Sequence, residues 1–218
     1  MRSDTIKAEL NLNQKPSMFA PATSANITMA NFSDLVVYDP VANAKGQKNS
    51  CIVRDGQNAY WVLPSTVSPI RQPSAFKSAS GESNGKLSLC VNAEADVLAE
   101  AASLDAWAIT YATAHSERLF GKLLTQAQVA DRYNGTLKVM PDKPSYLKFK
   151  LGVDRNAPNY WDGEKQRREA PDDFTRSQLV CRLRLLSFWF MSNSFGLTIQ
   201  LADAQVTSEQ AGGSICPF

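Results

Sequence analysis

Two arginines spaced two apart, Arg182 and Arg184, are followed after Leu186 by two phenylalanines at the same spacing, Phe188 and Phe190. In an extended chain alternate side chains share a face, so Val180, Arg182, Arg184, Leu186, Phe188 and Phe190 form one row, and Cys181, Leu183, Leu185, Ser187 and Trp189 the other. A row of guanidinium groups and planar rings suits a polyanion that carries flat bases. The cations meet phosphates, and each ring stacked on a base contributes roughly 1 to 3 kcal/mol. The opposite row, with Cys181, Leu183 and Leu185, reads as core.

The same pairing of cations and rings recurs. Tyr146, Lys148 and Lys150 alternate with Leu147, Phe149 and Leu151. Arg54, Tyr60 and Trp61 flank an Asp55-Gly56 turn, and Lys77 lies in the Ser-, Pro-, Gly- and Ala-rich stretch 65–85. Tyr160, Trp161 and Lys165 sit in the polar excursion 154–175. Each has a plainer reading: the loops are solvated, Tyr160 and Trp161 fold back onto the domain, and Phe188, Trp189 and Phe190 belong to a core behind a solvated row of arginines.

Catalytic chemistry finds no footing. His115 is the only histidine, the adjacent Asp172 and Asp173 follow Pro171 in a polar loop, and no phosphate-binding glycine loop or nucleophile elbow is present. Cys51, Cys90, Cys181 and Cys216 are widely spaced without a C-x-x-C pair, which argues against a zinc site or a disulfide scaffold. A non-enzyme without metal or cofactor, its thiols reduced, is the expectation.

The elements that must position these residues are mostly strands. Gln178 to Val206 reads as two long strands joined at Ser192-Asn193-Ser194, with Gly196 supplying a positive φ and Leu197, Ile199 and Leu201 facing the core. Leu35–Tyr38, a hairpin about Asp55-Gly56 and Lys86–Val91 are further strands. Leu98–Tyr111 reads as a helix, capped from Asn92 or Asp96, and Thr125 opens a second that ends at Asn134-Gly135. The fold expected is mainly β with a helical insertion (α+β): an OB-fold-like five-stranded β-barrel with extra strands and a two-helix insertion. Residues 1–30 are expected to form an N-terminal arm or edge strand, 31–206 a single domain with the insertion at about 94–134, and 207–218 a flexible tail.

With 218 residues, 44% of them hydrophobic, the chain can bury one substantial core. The net charge of +2 neither demands nor forbids a nucleic-acid partner, so local segregation of charge must decide. No run of about 18 apolar residues exists and the N-terminus carries charges where a signal peptide is apolar, so a soluble, intracellular protein with no membrane partner is expected.

Ser116–Asn134, Pro144–Leu151 and Phe188–Gln200 resemble, in order, segments of the OB-fold single-stranded DNA-binding proteins of large double-stranded DNA viruses of eukaryotes and algae. The resemblance covers about 98–206. It implies a protein that coats unwound DNA during replication and recombination, at the site of replication, without sequence preference or cofactor. Replication proteins would be its protein partners, and self-association is open. The C-terminal stretch from Thr207 has one acid, Glu209, where such proteins often carry an acidic recruiting tail, which puts recruitment through it in doubt. Two other classes compete: a structural or interaction protein, such as a virion component with an aromatic protein-binding face, and an RNA-binding OB domain.

Overall fold

The computed structural model describes residues 31–43, 47–77, 83–140 and 143–209. In chain order these form β1 (Leu35–Val37), β2 (Val41–Ala42), β3 (Lys48–Arg54), β4 (Gln57–Val62), β5 (Val67–Pro69), β6 (Ser74–Lys77) and β7 (Ser83–Ala93). Three helices follow, α1 (Ala95–Ala114), α2 (Ser116–Phe120) and α3 (Gln126–Ala130). The chain then returns to strands: β8 (Tyr133–Asn134), β9 (Leu137–Met140), β10 (Lys143–Leu151), β11 (Asn159–Trp161), β12 (Arg167–Arg168), β13 (Ser177–Phe190) and β14 (Phe195–Glu209). The N-terminal arm, Cys216 and nearly all of the expected tail lie outside the described residues.

Five strands close on themselves. β5 pairs with β7, β7 with β10, β10 with β14, β14 with β13, and β13 returns to β5. The β10 and β14 pair is parallel and the others are antiparallel, which gives the barrel order first, second, third, fifth, fourth of an OB fold. β13 is long enough to use its other edge three times, pairing with β5, then β4, then β3. Leu89, Val91, Leu147, Phe149, Leu179, Leu183, Leu185 and Leu201 fill the interior, each nearly free of solvent. Such burial contributes about 1.5 to 3 kcal/mol per large side chain, the main term holding the barrel closed.

Local chemistry explains the turns and helices. Asp55 and Gly56 both have positive φ, 50° and 72°, the two-residue reversal that matches strand twist between β3 and β4. Thr125 caps α3 reciprocally with Gln128. The insertion lies between the second and third barrel strands and holds one helix more than expected. Gly121, at φ 74°, ends the single extra turn α2 by accepting the left-handed conformation. α1 starts after Glu94 with no side-chain cap; Asp96 instead accepts from the Val97 amide and from the Ser65 hydroxyl. His115 is exposed at the α1 C-terminus, 4.4 Å from the Tyr111 ring.

The β13–β14 hairpin departs from simple alternation, with large consequences. Leu185 pairs with Ile199 but Ser187 pairs with Thr198, so Leu186 is an extra residue on β13. A bulge of one residue exchanges the faces beyond it. Phe188 and Phe190 therefore turn inward, where they pack with Phe195, and Trp189 turns outward. The reversal itself spans Met191–Ser194, closed by the Met191 amide on the Ser194 carbonyl. Gly196 is not part of it and has no positive φ; it lies inside β14 opposite Trp189.

Candidate nucleic-acid interface

The residues singled out by sequence divide into four places. Phe188, Phe190, Tyr160 and Trp61 are core residues, which removes them from any stacking surface. The bulge accounts for the two phenylalanines. Trp61 alternates inward with Ala59 and Leu63, and its Nε1 donates to Glu100 Oε2 at 2.7 Å. Tyr160 packs edge-on to Phe174, and burial pushes its phenol up to about 12.

Arg182, Arg184 and Tyr60 share the outer face of β4 and β13, where Tyr60 pairs with Arg184 and Val62 with Arg182, whereas Arg54, opposite the buried Leu35 and opposite Gln57, lies on the core side of β3, the side that carries Trp61. Arg182 is held on both sides. Its Nε and Nη2 lie 2.8 and 2.6 Å from Asp203 Oδ2, and its guanidinium sits 4.4 Å over the Tyr60 ring. Arg54 pairs with Asp34 at 3.0 Å. These two charges are neutralised within the fold. Arg182 is 25% exposed and Asp203 5%, so replacing Arg182 with Met leaves a buried carboxylate with the Asn159 amide as its remaining side-chain donor. Urea unfolding is expected to show a loss of about 3 kcal/mol, the low end for breaking a buried pair, with nucleic-acid binding by the folded fraction unchanged.

Trp161 and Lys165 stand apart. Trp161 pairs with Gln205, roughly 20 Å along β14 from Thr198 at the rise of a strand, and Lys165, at φ 62°, is exposed in the turn between β11 and β12. The Lys77 side chain lies outside the described residues.

Tyr146, Lys148 and Lys150 do come together with other groups. They follow one another on the outer face of β10, both lysines exposed, with Lys148 opposite Cys90 and Lys150 opposite Ser88 and Gln200. Trp189 joins them because the bulge turned it outward. A Cβ on Gly196 would lie 2.8 Å from Trp189 Cζ2 and 2.8 Å from the Asn134 carbonyl oxygen, so only glycine lets the indole lie against β14. Lys138 on β9 pairs with Tyr146 and so shares its face. Its ammonium donates to Asn134 Oδ1 and to the Gly135 carbonyl. Lys138, Lys148, Lys150 and Trp189 border one open groove of about 210 Å³, together with Ser88 and Thr198.

The electrostatics of the groove are one-sided. Burial pulls the Lys138 ammonium below its usual value; Asp105 opposes that shift and Lys148 adds to it. Two lysines close enough to repel each other form a surface that gains from an anion. Asp105 has another task. It accepts from the Tyr133 hydroxyl at 2.7 Å and from the amides of Thr136 and Leu137, pinning the segment that carries Lys138 to α1. Sequence reasoning passed over Lys138 and assigned Trp189 to the core row. The alternation Thr136, Lys138 against Leu137, Val139 was a signal for the first; nothing local signals the second.

A closed barrel in OB order, with Lys148 and Lys150 on its third strand and the half-buried Trp189 near the end of its fourth bordering the same groove, defines the class of fold, an OB-like barrel. No family model and no curated relative matches the chain. Among solved structures it is similar to gp2.5, a single-stranded DNA-binding protein encoded by bacteriophage T7, at 14% identity and TM-score 0.43, covering 72% of this chain and 95% of that one. It is also similar to the single-stranded DNA-binding protein of bacteriophage Enc34 in complex with single-stranded DNA, at 13% identity and TM-score 0.46, covering 79% and 96%. Both are phage proteins, not proteins of the large eukaryotic and algal viruses named by the sequence resemblance. Among the described residues no helix is long and apolar enough to cross a membrane, and no cluster of three or more metal-ligating side chains occurs.

Proposed function

We propose that the protein binds single-stranded DNA without sequence preference and coats it where DNA is unwound for replication or recombination. One observation carries the reading: Lys138, Lys148 and Lys150 converge with the half-buried, outward-facing Trp189 on one open groove of the barrel's ligand face. Phosphates neutralised by the three lysines release counterions, and the indole offers a face to any base. A duplex presents no free base face, so the ring discriminates strand from duplex where the charges do not. In this role the protein acts inside the cell at the site of replication, beside the proteins that unwind and copy DNA.

Fluorescence anisotropy of a labelled strand and its duplex, at two salt concentrations, tests the proposal. The strand is expected to bind tighter, with a salt slope of about 2 from three lysines at roughly 0.7 each. Equal affinity for the duplex, or indifference to salt, would overturn it. An RNA strand of the same sequence in parallel separates DNA binding from the RNA alternative.

A second reading has its own observation. Val36 on β1, Tyr38 just after it and Val62 on β4 are 49%, 52% and 55% exposed on the outer face of β1, β3 and β4, an apolar surface suited to a protein partner. Binding there would be nearly independent of salt.

A further inference from the structure

We propose that the bound strand continues beyond Trp189, over the β13–β14 turn, into a second cationic cavity, so that the protein holds one strand at two subsites. The inference rests on the single-strand reading above and extends it. The second cavity, about 460 Å³, is bordered by Lys48, Lys122 and Arg132, with Phe120 and Met191 among its apolar walls. Its cations differ from four arginines of the fold that are neutralised in place. Arg54, Arg118, Arg176 and Arg182 each pair with a carboxylate, whereas Lys48, Lys122 and Arg132 make no ion pair among the described residues. Three unneutralised cations facing one space from β3, from the segment after α2 and from the segment after α3 repel one another unless an anion sits between them.

The two cavities share walls. Trp189 borders the first and Phe190 and Met191 the second, adjacent residues on opposite sides of one hairpin. Arg132 borders the second and Asn134 the first, and this short segment is fastened to β14 by the Phe195 amide on the Arg132 carbonyl and by the pairing of Gly196 with Asn134. Arg132 and Asn134 are roughly 7 Å apart along an extended chain, a span one nucleotide of a stretched strand can cross. Beyond the ridge the half-buried Phe120 ring and the Met191 side chain, 60% exposed, offer apolar surface to a base, while the three cations take phosphates.

The experiment compares labelled oligothymidines of about 5 and about 16 nucleotides on the full-length protein and on the Lys122→Ala/Arg132→Ala variant. The variant is expected to bind the short strand as the unaltered protein does. It should bind the long strand about tenfold more weakly, with a salt slope lower by about 1.4. Lys48→Ala, on another wall, should reproduce the length-dependent loss in part, and thermal unfolding of both variants should match the unaltered protein. Equal loss at both lengths, or no loss at either, overturns the two-subsite path while leaving the groove at Trp189 in place. Failure of the unaltered protein to bind even the long strand defeats the single-strand reading itself.

Discussion

Replacing both Lys148 and Lys150 with glutamate is expected to weaken binding of a single strand about 100-fold at low salt while the barrel stays folded. Both side chains are exposed on the outer face of β10 and border the groove with Trp189. The exchange removes two phosphate contacts and puts two carboxylates where phosphates would lie, a change of about 3 kcal/mol in binding. Stability should move little, because exposed charges away from a buried network contribute only tenths of a kcal/mol. Anisotropy reads the first effect and thermal unfolding the second. The contrast with Arg182 is informative: there the charge is neutralised by Asp203, and its loss should appear in unfolding and not in binding.

Replacing Phe188 with alanine is expected to have the opposite signature. The ring is fully buried, nearly parallel to Trp107 at 5.8 Å and within 6.4 Å of Tyr111, Phe190 and Phe195. Its removal leaves a cavity where α1 meets the hairpin, at a cost of about 3 to 5 kcal/mol, or about 10 °C in melting temperature for a chain of this size. Urea unfolding measures the loss, and strand affinity of the folded protein should be retained. A stable Phe188→Ala protein that binds poorly would return this residue to the surface row that the alternation of Arg182, Arg184, Phe188 and Phe190 first implied.

That row shows where sequence stops. Local rules sufficed for the Asp55-Gly56 reversal, for the Thr125 cap and for the alternation that sets Lys148 and Lys150 against Leu147 and Phe149, because each depends on neighbours within a few residues. The closed barrel of mainly β character followed from the number and spacing of such strands. The Leu186 bulge depends on how β13 fits β14 and β3 at once, and no residue type near it announces an extra position. Counting outward from the Phe190 and Phe195 pair does reach Arg182 opposite Asp203, since the extra Leu186 on β13 is cancelled by an extra Ala202 on β14. The ion pair was therefore legible from hairpin register, although the faces between were not. Trp189 became an outer ring only through the bulge and the missing side chain at Gly196. Lys138 reaches the groove because Asp105, remote in sequence, pins its segment to the long helix.

Ultraviolet crosslinking of an oligothymidine to the full-length protein, with the adducts mapped by mass spectrometry, asks directly where a strand lies. Adducts at Trp189 and Tyr146, lost when Lys148 and Lys150 are replaced with glutamate, are the result expected. Adducts concentrated at Tyr38, Tyr60 or Trp161, with Trp189 unmodified, would place the strand on another face and contradict the groove as its site.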